Sequence, residues 1–388
     1  MNPPEVTDAV RELRRTATIR ERAGRLLARA RGGDSPWFTV HDDALDAAAV
    51  AVAGVTRSNY PDLTIPYHSR WRHFAAGGVD RRADLVARLA GRDIAARARA
   101  MIDLTVISVL LDAGAGPDWR YHEGSRTFTR SEGLAVASFH AFTAGTFSAD
   151  PQDPLRVDAA GLRALDTARL AAALQVGAAN PLVGLDGRVA LLHRLGDVLA
   201  GSGDRPGAMF DVLTGPQVRA HDILSHLLAA LSGIWPASNS IDGIPLGDCW
   251  PHPAVQWLPL HKLSQWVTYS LLEPFEWAGV EVTGLDELTG LPEYRNGGLL
   301  LDTGVLRLRD PQWAARTWTA ADELIVEWRG LTVALLDELA ERVCTRLGTR
   351  LPLACVLEGG TWATGRALAQ QLRDGLPPLT IRSDGTVF

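Results

Sequence analysis

The chain has 388 residues, of which 46% are hydrophobic and 22% charged, with a formal net charge of -6. That balance belongs to an ordinary globular protein with ample core, and the negative charge argues against a binder that works by neutralising nucleic-acid phosphates. Three scattered cysteines, Cys249, Cys344 and Cys355, form neither a disulfide framework nor a CxxC zinc site, no secretion-type apolar run follows the opening charges, and no stretch has the length of a membrane span. The expected setting is therefore the reduced cytoplasm, with no membrane and no nucleic acid as partner.

Apolar residues recur at helical spacing over 6–31, 43–55, 81–111, 131–144, 159–174, 189–199, 216–231, 258–277, 320–347 and 353–372. Alternating patterns are sparse, and 380–388 is the best candidate for a strand. The expected fold class is mainly α: a compact helical domain over 1–388, or two lobes about a cleft, with a short β element at the C-terminus. Aromatic, Pro and Gly residues gather in the loops 59–80, 114–130 and 234–257.

The first loop carries the segment IPYHSRWRHF, in which His68, Arg70, Trp71, Arg72 and His73 fall within six positions. Arginine forks pair with phosphate and aromatics line pockets for flat groups, so these five are candidate substrate-binding residues. Anchoring of the loop onto the core is the structural alternative. Asp112 closes the apolar run 104–111 at a Gly-rich turn, where it serves either the turn amides or a cleft edge. Glu123, Arg126 and Arg130 read as a surface ion-pair cluster.

Lys262 is the only lysine among 39 Lys and Arg residues. Lysine spared in an arginine-biased chain marks a place where a compact, adjustable ammonium is needed. It stands near the start of the helix expected over 258–277. A short periodic segment over 282–288, the turn Gly290-Leu291-Pro292 and a helix opened by small residues then predict a helical hairpin. Its turn sets Glu293 beside the N–H groups of a helix start, where phosphate or a sugar oxygen can be held. Tyr294 and Arg295 follow directly. Further on, Glu327 and Arg329 are two apart and do not share a helix face, so each must face solvent or meet a partner elsewhere. The EGGTW string at 358–362 reads as a tight turn with a structural purpose. No HExxH, GxGxxG, P-loop or GxSxG string is present, so neither a metal nor another cofactor is expected.

The strings IPYHSRWRHF, YHEGSRTFTRSEGLAVASFHAF, GLPEYRNGGLLLDTGVL, VEWRGLTVALLDEL, LEGGTW and SDGTVF together resemble the uracil-catabolism family, the fourth protein of the URC set, over almost the whole chain. The resemblance implies a uracil degradation route in which the ring is opened at the nucleotide level and a ribosylurea species arises. A fainter likeness is to the queuosine-nucleotide N-glycosidases, whose fold is similar to helix-hairpin-helix DNA glycosylases. Lys262-Leu263-Ser264-Gln265 matches their K-R-A-Q string in its Lys and Gln, and Leu288 to Arg295 matches L-T-x-F-A-D-Y-R, with Glu293 in place of the family's essential Asp. Glu327, Arg329, Thr332 and Val333 fit E-I-R-x-x-T-V, while Asn296-Gly297-Gly298 departs from Val-Pro-Gln.

These resemblances imply a hydrolase that cleaves the N-glycosidic bond of ribosylurea, or of its 5-phosphate, to urea and ribose or ribose phosphate. Glu293 would steady the oxocarbenium-like state and orient water, Lys262 would meet the carboxylate or phosphate, and Asp112 or a histidine from His68 and His73 would protonate urea. Arg70, Arg72, Arg295 and Arg329 are candidate anion or carbonyl ligands, with Trp71 and Tyr294 as pocket walls. An amide or ureide hydrolase acting on the ring-opened nucleotide, or a non-catalytic partner of the pathway enzymes, are the competing expectations.

Overall fold

A computed structural model describes residues 6–213, 215–235 and 239–382. Helices dominate, and strands are short and occur in two-stranded pairs. None of the described helices is long and apolar enough to cross a membrane. The chain divides into two compact units, each assembled from separated segments: 1–68, 241–265 and 284–382 in one, 69–240 with 266–283 in the other.

The first unit is built on the Glu323–Leu347 helix. Its sequence ELIVEWRGLTVALLDEL is buried without interruption from Leu324 to Leu336, so it behaves as a core helix enclosed on all sides rather than an amphipathic one. The Thr16–Arg31 and Ala44–Asn59 helices pack along it. A helical run from Leu353 to Arg373 completes the layer, and its middle, Leu357–Thr361, winds as a π-helix against the Ala44–Asn59 helix. The EGGTW string is thus a local widening inside a helix instead of a turn. The Tyr294–Asp302 helix lies on Trp362–Arg373. A Cβ at Gly365 would stand 2.2 Å from the Arg295 carbonyl oxygen, so glycine is what permits this approach. Strand Phe38–Val40 pairs antiparallel with Leu306–Leu308, Cys249–His252 forms a hairpin with Gln256–Pro259, and Thr317–Trp318 runs parallel to Thr380–Ile381. The C-terminal β element therefore exists as that last pair, while SDGTVF lies outside the described residues.

The second unit centres on the Ile94–Leu110 helix, whose residues from Ala100 to Leu110 are all buried. Asp103 sits within it at 0% exposure and ties two loops down by accepting from Val157 N, Gly207 N and the Arg205 guanidinium. Arg188, equally buried, donates to the carbonyls of Leu111, Ala113, Gly114 and Val183. It thereby closes the helix's C-terminal end, at the cost of burial that pushes its own pKa down to about 10 despite the opposing charge of Asp112.

Several boundaries differ from the periodic expectation, each for a local reason. The helix expected over 81–111 breaks into Arg81–Arg88 and Ile94–Leu110, with Asp93 capping the second through Ala96 N. The start of 216–231 is a strand, Gln217–Arg219, paired with Glu281–Thr283. The first arm of the expected helical hairpin is consequently a β-strand followed by a single 3-10 turn, Leu285–Glu287. β-Branched Val282 and Thr283 favour the ladder, and Gly284 at φ 65° ends it in the left-handed region. The second arm, Tyr294–Asp302, forms as expected.

Candidate active site around Lys262 and Glu293

Asp248 is the hub of the first unit's polar centre. Its carboxylate accepts from the backbone N–H of Lys262 at 2.9 Å and the Trp250 indole at 2.7 Å, and pairs bidentately with Arg329 at 2.7 Å for both oxygens. Its carbonyl takes the N–H groups of Leu260 and His261. Burial favours the neutral acid, but the Arg329 guanidinium and these N–H donors outweigh it and hold the Asp248 carboxyl well below its ordinary value. The third contact of Arg329, from Nε, reaches the carbonyl of Pro292 at 3.3 Å. A chain of short links therefore joins the backbone at Lys262 to the residue that precedes Glu293.

A second stitch runs beside it. Gln265, one turn beyond Lys262 on the Lys262–Trp277 helix, bonds to Thr289 Oγ1 at 2.6 Å and accepts from Thr289 N at 2.9 Å. Arg20 holds the carbonyls of Glu287 and Leu288 at 2.9 and 2.6 Å. Lys262 itself follows His261, a non-glycine residue at φ 46° whose ring donates to the Leu13 carbonyl at 2.9 Å. Burial depresses the pKa of that imidazole more than the bond to Leu13 raises it. Left-handed backbone in a bulky residue is a conformation the surroundings must enforce, and such sites gather near function.

Glu293 corrects one expectation. The N–H groups at the start of the Tyr294–Asp302 helix are not open to a ligand anion, because Glu293 caps them itself: Oε1 accepts from Asn296 N at 2.6 Å and Oε2 from Arg295 N at 2.9 Å. The carboxylate is buried at 7% exposure and fixed in direction. Each of its oxygens keeps a further lone-pair site, so a capped carboxylate still accepts from water or a sugar hydroxyl.

Arg295 stacks over the Trp362 ring with its guanidinium carbon 4.5 Å from the centroid, and lies 5.2 Å from the Tyr294 ring. On the same indole, the His68 ring stands 6.1 Å away. His68 Nδ1 is 2.8 Å from Glu358, whose other oxygen accepts from Tyr60 Oη at 3.2 Å. Thus His68 and Arg295, widely separated in sequence, share one wall through Trp362, with Tyr294 beside Arg295, and Glu358 of the π-helical segment orients the histidine. Such widenings often occur at functional sites.

Of the two outcomes that their spacing allows, solvent or a partner elsewhere, Glu327 and Arg329 both take the second. Glu327 accepts from Ser35 Oγ and lies 3.2 Å from His252 Nε2, while Glu323 accepts from the Trp37 indole at 3.1 Å. His252, Glu323 and Glu327 offer ligand atoms within 4.8 Å of one another, the one such grouping among the described residues. The hydrogen bonds favour a closed network over a metal site. Ala254 N donates to His252 Nδ1 at 3.2 Å, which places the imidazole proton on Nε2, facing Glu327, where a metal would need the lone pair.

The remaining candidates belong to the second unit. Arg70 is wholly buried and donates to Asp112 at 2.8 Å, Ser108 Oγ at 2.7 Å and the Ser131 carbonyl at 3.1 Å, with His73 Nδ1 at 3.2 Å. Burial lowers its pKa and Asp112 opposes this. Asp112 is thus the counterion of a buried arginine rather than a cap on turn amides. Trp71 is buried and donates to the Ser270 carbonyl. Arg72 reaches Glu273 at 2.5 Å, and Glu273 in turn accepts from Ser69. Glu123 pairs with Arg81 at 2.5 Å and His140 at 2.6 Å. Asp112, Arg70 and His73 fall in the second unit and Glu293 in the first.

The family described as a protein of unknown function, DUF1688, matches residues 12–388. The chain belongs to that family. Protein urg3 of Schizosaccharomyces pombe is 41% identical over 400 aligned residues, covering 98% of this chain and 100% of that protein. Uracil catabolism protein 4 of Lachancea kluyveri is 38% identical over 397, covering 89% and 90%. This member of DUF1688 carries functional candidates that sequence reasoning missed: Asp248, Glu358 and Trp362. The bare sequence excluded Glu327 as the helix partner of Arg329 without pointing to Asp248, and it read Glu358 and Trp362 only as parts of a structural turn.

Proposed function

We propose that this protein is a hydrolase of uracil catabolism that cleaves the N-glycosidic bond of ribosylurea 5-phosphate, yielding urea and ribose 5-phosphate. The pathway comes from the likeness to Uracil catabolism protein 4. The reaction type rests on the residue pattern shared with queuosine-nucleotide N-glycosidases, and a fold like that of helix-hairpin-helix glycosylases is part of the same proposal. One observation carries it: Lys262 and the segment leading to Glu293 are locked together by Asp248 and Arg329. A reaction through a glycosyl cation needs a carboxylate whose position is set before charge develops, because reorganisation during the reaction would erase the benefit.

In this reading the carboxylate of Glu293 faces the anomeric carbon and accepts a proton from the attacking water. Lys262 supplies a compact positive charge to the phosphate or to Glu293. Urea is a poor leaving group unless protonated, and His68, oriented by Glu358, is the acid in the same unit. Arg295, backed by Trp362, binds the sugar phosphate. The test is product identity: purified protein incubated with ribosylurea 5-phosphate should release urea and a reducing sugar phosphate in equal amounts. Release of ammonia or carbamate with the ribosyl bond intact would replace the glycosidase by an amide or ureide hydrolase. No turnover of this substrate would reject the reading.

A further inference from the structure

The second unit holds an open cleft of about 470 Å³ bordered by Trp71, Arg72, Asp80, Arg82, Glu273 and Trp277. A smaller hollow of about 190 Å³ lies on the same arginine and tryptophan, with Arg97 and Ile94 on its rim. Arg82 and Trp277 thus form a partition between two hollows. The Arg82 guanidinium lies over the indole of Trp277 with its carbon 3.8 Å from the ring centroid, and Trp71 meets the same indole edge-on at 4.8 Å. This arrangement holds a guanidinium flat at the surface, with one face on the indole and the side chain still exposed.

The charges around the cleft are unequal in their freedom. Asp80 is engaged in capping the Arg81–Arg88 helix through Ala83 N, and Glu273 is bonded to Ser69 and Arg72. Arg81 is consumed by Glu123 and by the carbonyls of Phe74 and Ala76. Arg72 uses one terminal nitrogen on Glu273 and keeps its side chain 29% exposed, so its terminal N–H groups are what it presents to the cleft. The cleft therefore offers N–H donors from Arg72 and a flat cationic plate from Arg82, with its two carboxylates already bonded.

We propose that this cleft binds a nucleoside monophosphate: the flat base stacks on the outer face of Arg82, whose inner face rests on Trp277, and the phosphate is taken by Arg72. Guanidinium planes stack on bases as aromatic rings do, an arginine fork matches phosphate oxygens, and the volume falls in the range of small-ligand sites. The proposal stands apart from the reading of Glu293 and Lys262, because every residue it uses lies in the second unit.

Calorimetric titration of the full chain with uridine 5-monophosphate, uridine and inorganic phosphate tests it. The expected result is saturable binding of the monophosphate, with uridine and phosphate each weaker by about tenfold or more, since each keeps only half of the contacts. Arg82→Ala should weaken the monophosphate by about tenfold, and Arg82→Lys should fail to restore it because the plane, not only the charge, is used. Arg82 is exposed, so both variants are expected to fold, checked by circular dichroism. Absence of binding, equal affinity for inorganic phosphate, or unchanged affinity in either Arg82 variant would overturn the proposal.

Discussion

At the scale of single residues, Glu293 does two jobs that pull its substitutions apart. As a cap it satisfies two backbone N–H groups; as the proposed catalytic carboxylate it must carry charge. Glu293→Ala loses both, and the missing cap alone should lower stability by about 1 kcal/mol, read as a reduced melting temperature. Glu293→Gln keeps an acceptor oxygen for the cap and should melt closer to wild type. Lys262 offers the complementary test. Its isolation as the one lysine was legible in the sequence, and its backbone placement against Asp248 was not, because the acid stands 14 residues earlier across a hairpin. Lys262→Arg preserves charge but not the compact ammonium. We expect kcat on ribosylurea 5-phosphate to fall by about tenfold or more, whereas an unchanged kcat would reduce Lys262 to a generic cation.

Elements set those residues in place, and here the sequence spoke unevenly. The long core helix followed from periodicity and the helix after Glu293 from the turn and small residues that open it, and the spacing of Glu327 and Arg329 already excluded their pairing with each other. The 282–288 segment did not read correctly, because a strand three residues long has too few positions for periodicity to separate it from a helical turn; its ladder partner lies more than 60 residues away. The Asp248–Arg329 pair joins the Cys249–His252 hairpin to the core helix and to Pro292, so its loss should disturb several elements together. Asp248→Asn leaves a buried guanidinium without its counterion, at an expected cost of about 3–5 kcal/mol in chemical denaturation. The pH dependence follows from the direction of the shift. The folded carboxyl titrates below its ordinary 3.8, so its stabilisation is complete above that value and is lost as pH falls through the folded pKa. Wild type should lose stability on acidification below about pH 4 more steeply than Asp248→Asn; parallel curves would show that the pair contributes nothing. Gly365→Ala provides a steric test of the Tyr294–Asp302 packing. The added methyl meets the Arg295 carbonyl at 2.2 Å and should cost about 1–3 kcal/mol while moving Arg295 off Trp362, seen as a change in tryptophan emission.

For the whole molecule, the helical spacing of apolar residues foretold a mainly helical chain, and the described residues bear that out. The candidate site was legible as fragments. His68, Lys262, Glu293, Tyr294, Arg295 and Arg329 all fall in one unit, while Arg70, Trp71, Arg72, His73 and Asp112 fall in the other. The break comes between His68 and Ser69, inside a single loop motif, which no reading of local pattern can place because it depends on which long-range contacts each side makes. Residue type alone could not tell the buried, structural Arg70 from the cleft-edge Arg72 either, since that distinction is made by Asp112, 42 residues further along. The pathway proposed for the protein rests on the name of a relative, and the chemistry proposed for it rests on the locked Lys262–Glu293 frame. Steady-state kinetics of wild type and Glu293→Gln on ribosylurea 5-phosphate, with urea and sugar phosphate measured together and folding verified by circular dichroism, test that frame most directly. The account predicts equimolar products from wild type and a loss of about 10²–10³ in kcat for the variant, with KM changed little. A folded Glu293→Gln protein that cleaves at the wild-type rate would contradict it.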